Sequence, residues 1–193
     1  SKLADWQPYF NYRGGTDELS VIYNFGNNQK TIMAHCIHCD NDELKMIKDN
    51  EVFIAHCPTS NVNVIAGICP SAMFLRNNFN IGLGSDIAGG HTLNLLEVMR
   101  TAIQSSKNRY KLMTDEYKPL SISEALYMAT VGGGKFFGKV GLFEKEYEFD
   151  AVILDDSSLL TPREYSSEER LERVIYLNGA KIVSKFILGN KII

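Results

Sequence analysis

Apolar residues along this chain come in short runs that stop at polar, chemically capable residues. Thr31-Ile32-Met33-Ala34 ends at His35, Val52-Phe53-Ile54-Ala55 ends at His56, and Asn80-Ile81-Gly82-Leu83-Gly84 leads to Asp86. Short runs of this kind predict strands buried on both faces. Between them the period changes to a helical one. Residues 40–48 begin with a capping Asp40 and place Leu44 and Ile47 on one helix face, and residues 72–76 predict a short helix. Residues 58–70 read as a loop. After Gly89-Gly90, Leu93, Leu96, Met99 and Ile103 keep a helical period over residues 92–105. Strand and helix alternating in this way predict parallel βα units, whose chemistry collects at the C-terminal strand ends. His35, His56 and Asp86 all fall there.

The second half reads differently. Residues 106–119 predict a polar linker and residues 121–130 a further helix, interrupted by Gly132-Gly133-Gly134. Short strands are predicted at residues 151–154, 174–177 and 182–188, with Asn178-Gly179 as a hairpin turn between the last two. The charged stretch at residues 168–173 reads as a solvated face. Residues 30–146 thus form an α/β unit and residues 147–193 a small β appendage. Residues 1–29 are the least regular, with Trp6, Tyr9, Phe10 and Tyr12 crowded before Gly14-Gly15 and a helix end near residues 18–25.

Composition narrows the class. The chain has 193 residues, 45% of them hydrophobic, and a net charge of -3. That balance fits a globular protein and argues against a nucleic-acid surface, which needs clustered Lys and Arg. No apolar run approaches the roughly 18 residues of a membrane span, and the N-terminus lacks a secretory pattern. Cys36, Cys39, Cys57 and Cys69 are not spaced as a disulfide framework, so a cytoplasmic setting is expected. The start at Ser1 leads us to expect a piece of a longer protein.

Each polar group has a structural and a chemical reading. Asp86 follows a Gly-x-Gly turn and precedes a glycine-rich helix entry, where it could cap a helix or hold a metal or a proton. Two histidines at neighbouring strand ends favour the chemical reading. His35 suits a metal or a water through its imidazole, while His38 lies further out, facing a pocket or solvent. Cys36-x-x-Cys39 lacks the second ligand pair of a structural zinc site, and Cys36 reads as a core residue. His56-Cys57-Pro58-Thr59-Ser60-Asn61 could line a site or simply make a turn. The three glycines lack the Lys-Ser/Thr of a phosphate loop and suit close helix packing instead.

Taken together, Ala34-His35-Cys36, His56-Cys57-Pro58-Thr59-Ser60-Asn61 and Gly82-Leu83-Gly84-Ser85-Asp86 resemble the last three barrel strands of the metal-dependent amidohydrolases. The branch resembled contains guanine deaminases, S-adenosylhomocysteine deaminases and triazine hydrolases. Asp86-Ile87-Ala88-Gly89-Gly90-His91, residues 132–141 and residues 169–177 are similar to the guanine deaminases in particular. The resemblance implies the C-terminal part of a (β/α)₈ TIM-like barrel with a small β-sandwich. It also implies one zinc per site, a small purine substrate and hydrolysis of guanine to xanthine and ammonia by a homodimer. Asp86 would be the metal ligand and proton acceptor, with His35 beside the metal orienting water or substrate. The family's His-x-His and His-x-x-Glu have no counterpart here, and no His precedes His35. An N-terminal barrel segment is therefore the expected partner, without which the chain should be inactive. A related deaminase or chlorohydrolase, or a non-catalytic half-barrel, are the alternatives.

Overall fold

The computed structural model describes residues 30–113, 116–159 and 162–193. The readings made for residues 1–29 lie outside the described residues.

Three parallel strands, β1 (Ile32–Ala34), β2 (Phe53–His56) and β3 (Asn80–Leu83), form one sheet in the order β1-β2-β3. Their register aligns Met33 with Ile54 and Ile54 with Ile81 on the same face. That face meets a helix layer, and Ile47, Phe74, Met99, Ala102, Ile103 and Met128 fill the core between them. On the opposite face Ile32 is half exposed, although the strand reads as apolar on both sides.

The predicted βα alternation is present. Helix α1 (Asn41–Asp49) opens with a capping box: Asp40 accepts from Glu43 N at 2.9 Å, and Glu43 Oε2 accepts from Asp40 N at 2.8 Å. Helix α2 (Pro58–Asn63) replaces the start of the loop expected over residues 58–70. Its buried face is Pro58, Thr59, Ser60 and Asn61, so it has no apolar stripe to betray it, and Pro58 sits at its first turn. Helix α3 (Ser71–Arg76) follows as expected.

Helix α4 (Leu95–Leu112) runs seven residues into the predicted linker. Its last turns present Lys107, Asn108 and Lys111 to solvent, which hides the period in a polar stretch. Ser106 anchors the next segment by accepting from Leu120 N at 2.9 Å. Helix α5 (Ile122–Tyr127) continues as a π-helical turn, Met128–Gly132, lying against β3. Here the glycines do allow close packing: a Cβ on Gly132 would sit 2.4 Å from Ile81 O, and one on Gly82 would sit 2.7 Å from Gly133 Cα.

A second sheet, antiparallel, has the order β4 (Ala151–Asp155), β5 (Lys181–Ile187) and β6 (Asn190–Lys191). The strand expected at residues 174–177 is instead the end of helix α6 (Ser167–Leu177), which also takes in the charged stretch. Leu171, Val174 and Ile175 are spaced i, i+3, i+4, and Val174 and Ile175 are buried, so the apolar run is one face of a helix. Asn178 closes α6 in a left-handed conformation (φ 51°) rather than opening a hairpin. Ile175 reaches the same core as the parallel sheet. Among the described residues no helix is long and apolar enough to cross a membrane.

Candidate metal-dependent active site

The C-terminal ends of β1, β2 and β3 bring His35, Asn61 and Asp86 together. His35 Nε2 stands 3.8 Å from Asp86 Oδ2, and His35 Nδ1 is hydrogen-bonded to Asn61 Oδ1 at 2.9 Å. The two residues singled out from the sequence are thus neighbours, although 51 positions apart. Both lie just past their strands with positive φ, 70° at His35 and 48° at Asp86. That region costs an L-residue on the order of 1 kcal/mol or more, and such strain gathers at functional sites.

Local sequence explains how the loops close. After Asp86 the chain turns so that Gly90 N donates to Asp86 O at 2.6 Å. A Cβ on Gly90 would fall 2.0 Å from Ser85 O and 2.6 Å from Thr59 Oγ1, and one on Gly89 would fall 2.7 Å from Ser60 Oγ. Glycine at both positions is what lets the Asp86 loop lie against the start of α2. Asn63 Nδ2 fastens the contact by donating to Gly89 O at 3.0 Å.

Cys57 completes a cluster. His35, Cys57 and Asp86 each bring a donor atom within 4.8 Å of the others. Burial, and then the Asp86 carboxylate, push the Cys57 thiol up to about 12, so it stays protonated at neutral pH. Its hydrogen is directed at Ala55 O, 3.5 Å away. An imidazole nitrogen and a carboxylate oxygen suit zinc, and two ligands each about 2.0–2.1 Å from one ion lie no more than about 4 Å apart. The 3.8 Å between His35 and Asp86 is compatible with a shared divalent ion. The described residues therefore offer two oriented donors and one thiol, where a catalytic zinc usually takes three protein ligands.

The other candidates are placed elsewhere. His56 is buried with neither ring nitrogen hydrogen-bonded among the described residues. Burial, reinforced by nearby His35, pushes its pKa down to about 3, so the ring is neutral. His38 Nε2 bonds Ala66 O at 2.8 Å and ties the loop after β1 to the loop after α2. Cys36 is a core residue, its thiol kept protonated by contact with Cys39 and by burial. All four cysteines are free. The sequence reading missed that Asn61 binds His35; a Pro-Thr-Ser-Asn stretch carries the ordinary signature of a turn.

Comparison with known proteins places the chain in a family. The model of the amidohydrolase family matches residues 11–193. A guanine deaminase of Dictyostelium discoideum is 35% identical over 188 residues, covering 92% of this chain and 42% of that protein. A 5'-deoxyadenosine deaminase of Methanococcus vannielii is 34% identical over 175 residues, covering 88% of this chain and 39% of that protein. The crystal structure of guanine deaminase from C. acetobutylicum, with guanine in its active site, matches with a TM-score of 0.87 at 42% identity. That match covers 98% of this chain and 45% of the other. The chain belongs to the amidohydrolase family. It spans less than half the length of these relatives.

Proposed function

We propose that this chain supplies the C-terminal part of a zinc-dependent guanine deaminase. The observation that carries the reading is His35 and Asp86 facing each other at 3.8 Å across neighbouring parallel strand ends. The guanine-bound structure from C. acetobutylicum, 42% identical, supports guanine as the substrate. Residues 30–146 would belong to a (β/α)₈ barrel and residues 147–193 to a small β-sandwich, with helix α6 packing back on the barrel side. The half-exposed Ile32 face of the parallel sheet supports closure by further barrel strands, which would bring the remaining metal ligands. Assembly as a homodimer rests on the resemblance alone. The four free cysteines suit a cytoplasmic setting.

Asp86 would hold the metal together with ligands from the rest of the barrel, with His35 beside it. A divalent ion bound there lowers the pKa of water from about 15.7 toward about 7. In the reaction the water oxygen bonds to the ring carbon that carries the amino group. Asp86 takes a proton from that water, and the carbon becomes tetrahedral. His35 orients the attacking oxygen and steadies the charge that develops. The carbon–nitrogen bond then breaks as the amine receives a proton, giving xanthine and ammonia from guanine and water.

The test is ammonia release by the complete protein supplied with guanine, and separately with 5'-deoxyadenosine. Release from guanine is expected. Release from 5'-deoxyadenosine alone would move the chain to the other deaminase, and release from neither would leave a non-catalytic module.

A further inference from the structure

We propose that Asn61 is a positioning residue that sets the tautomer of His35. The proposal rests on the assignment of His35 and Asp86 to the reacting centre. The imidazole is hydrogen-bonded at one end and faces a carboxylate at the other: Nδ1 lies 2.9 Å from Asn61 Oδ1 and Nε2 lies 3.8 Å from Asp86 Oδ2. An amide oxygen can only accept a hydrogen bond, so with Asn61 Oδ1 facing Nδ1 the neutral ring carries its proton there. Nε2 then presents a lone pair toward the space it shares with Asp86. With the opposite tautomer, Nε2 would point an N–H at the carboxylate. The ring would then neither ligate a metal nor accept a proton from water.

Asn61 is built to hold that position. It is 3% exposed, its N–H donates to Cys57 O at 3.0 Å and its carbonyl accepts from Ala66 N at 2.9 Å. The backbone is therefore fixed on both sides of the side chain. His35 is fixed in its backbone as well, its N–H donating to Ala55 O at 2.9 Å on a left-handed strand end with φ 70°. The ring takes its orientation from what it touches.

A purely structural role fits less well. Asn61 Nδ2 is buried with no hydrogen-bond partner among the described residues, a burial an apolar side chain would avoid. Retaining an amide at this cost is explained by the ring it holds. Residues that orient an imidazole through its second nitrogen typically carry about 10–100-fold in metal affinity or activity.

The test uses the complete protein. Nitrogen-15 spectra of the histidine rings are recorded after chelation, so that no ion dictates the tautomer, with His35→Ala identifying the His35 signals. Wild type should show the proton on Nδ1, and Asn61→Ala and Asn61→Ser should shift His35 toward the Nε2-protonated form. Turnover of the zinc-loaded variants should fall about 10–100-fold with a smaller change in KM. A wild-type ring protonated on Nε2, or an unchanged tautomer in either folded variant, would overturn the proposal. Should the wild type release no ammonia from guanine, the functional reading fails while the tautomer result still stands or falls by itself.

Discussion

The two ends of the parallel sheet are built on opposite principles. At the C-terminal end, polar groups are left short of partners: His56 and Asn61 bury nitrogens without hydrogen bonds among the described residues. At the N-terminal end a cavity of about 480 Å³ is lined by Arg76, Phe79, Asn80, Glu124, Tyr127 and Lys135. There the polar groups satisfy one another. Arg76 bonds both oxygens of Glu124 at 3.0 and 3.1 Å, and Lys135 Nζ donates to Tyr127 Oη at 2.7 Å. In α/β barrels the C-terminal face carries function and the opposite face stability. The contrast places cost where chemistry is expected and mutual satisfaction where it is not.

Substitutions at the two ends should therefore separate activity from stability. The largest effect is expected from Asp86→Asn, which on the proposed mechanism removes the proton acceptor and a charged ligand. Turnover should fall about 10²–10⁴-fold, with loss of bound zinc and, compared with metal-free wild type, an unchanged unfolding midpoint, read by ammonia assay, metal analysis and denaturation. A smaller loss at the same end is expected from Gly90→Ala. Its Cβ would collide with Ser85 O and Thr59 Oγ1, displacing the Asp86 loop, so turnover should fall more than thermal stability.

His56 sharpens the contrast through pH. The unfolded ring takes up a proton near 6.5, whereas in the fold its pKa lies at about 3. Between those values the unfolded chain binds more protons, so stability is held above pH 6.5 and lost as pH falls toward 3. Urea midpoints measured from about pH 7 down to about pH 5 should decline. The decline should be shallower in His56→Gln, which has nothing to titrate. The smallest effect belongs to the other end. Arg76→Ala should cost about 1–2 kcal/mol, since the Arg76–Glu124 pair is partly solvated. Ammonia release by this variant should match wild type.

Legibility in the sequence followed where apolar residues are buried. β1, β2 and β3 were readable because their runs are apolar and end at a polar residue, and that ending also exposed His35 and Asp86. Helix α1 announced itself through Asp40 and its apolar face. Helix α2 did not, because the face it buries is Thr59, Ser60 and Asn61 against the site. Asn61's bond to His35 joins residues 26 positions apart and leaves no local trace. The end of α6 looked like a strand because Val174, Ile175 and Tyr176 favour strands locally, while packing on the core decided for helix. The last turns of α4 were lost in exposed lysines and an asparagine, although Lys107 Nζ also stands over the Tyr176 ring at 5.9 Å.

On the proposed function, His35 and Asp86 form one metal-dependent hydrolytic centre. It is tested most directly by locating zinc through its anomalous scattering in crystals of the complete, active protein. One ion is expected, bound by an Asp86 oxygen at about 2.0–2.2 Å, with His35 Nε2 facing the same ion. An active protein whose zinc lies away from both residues would contradict it.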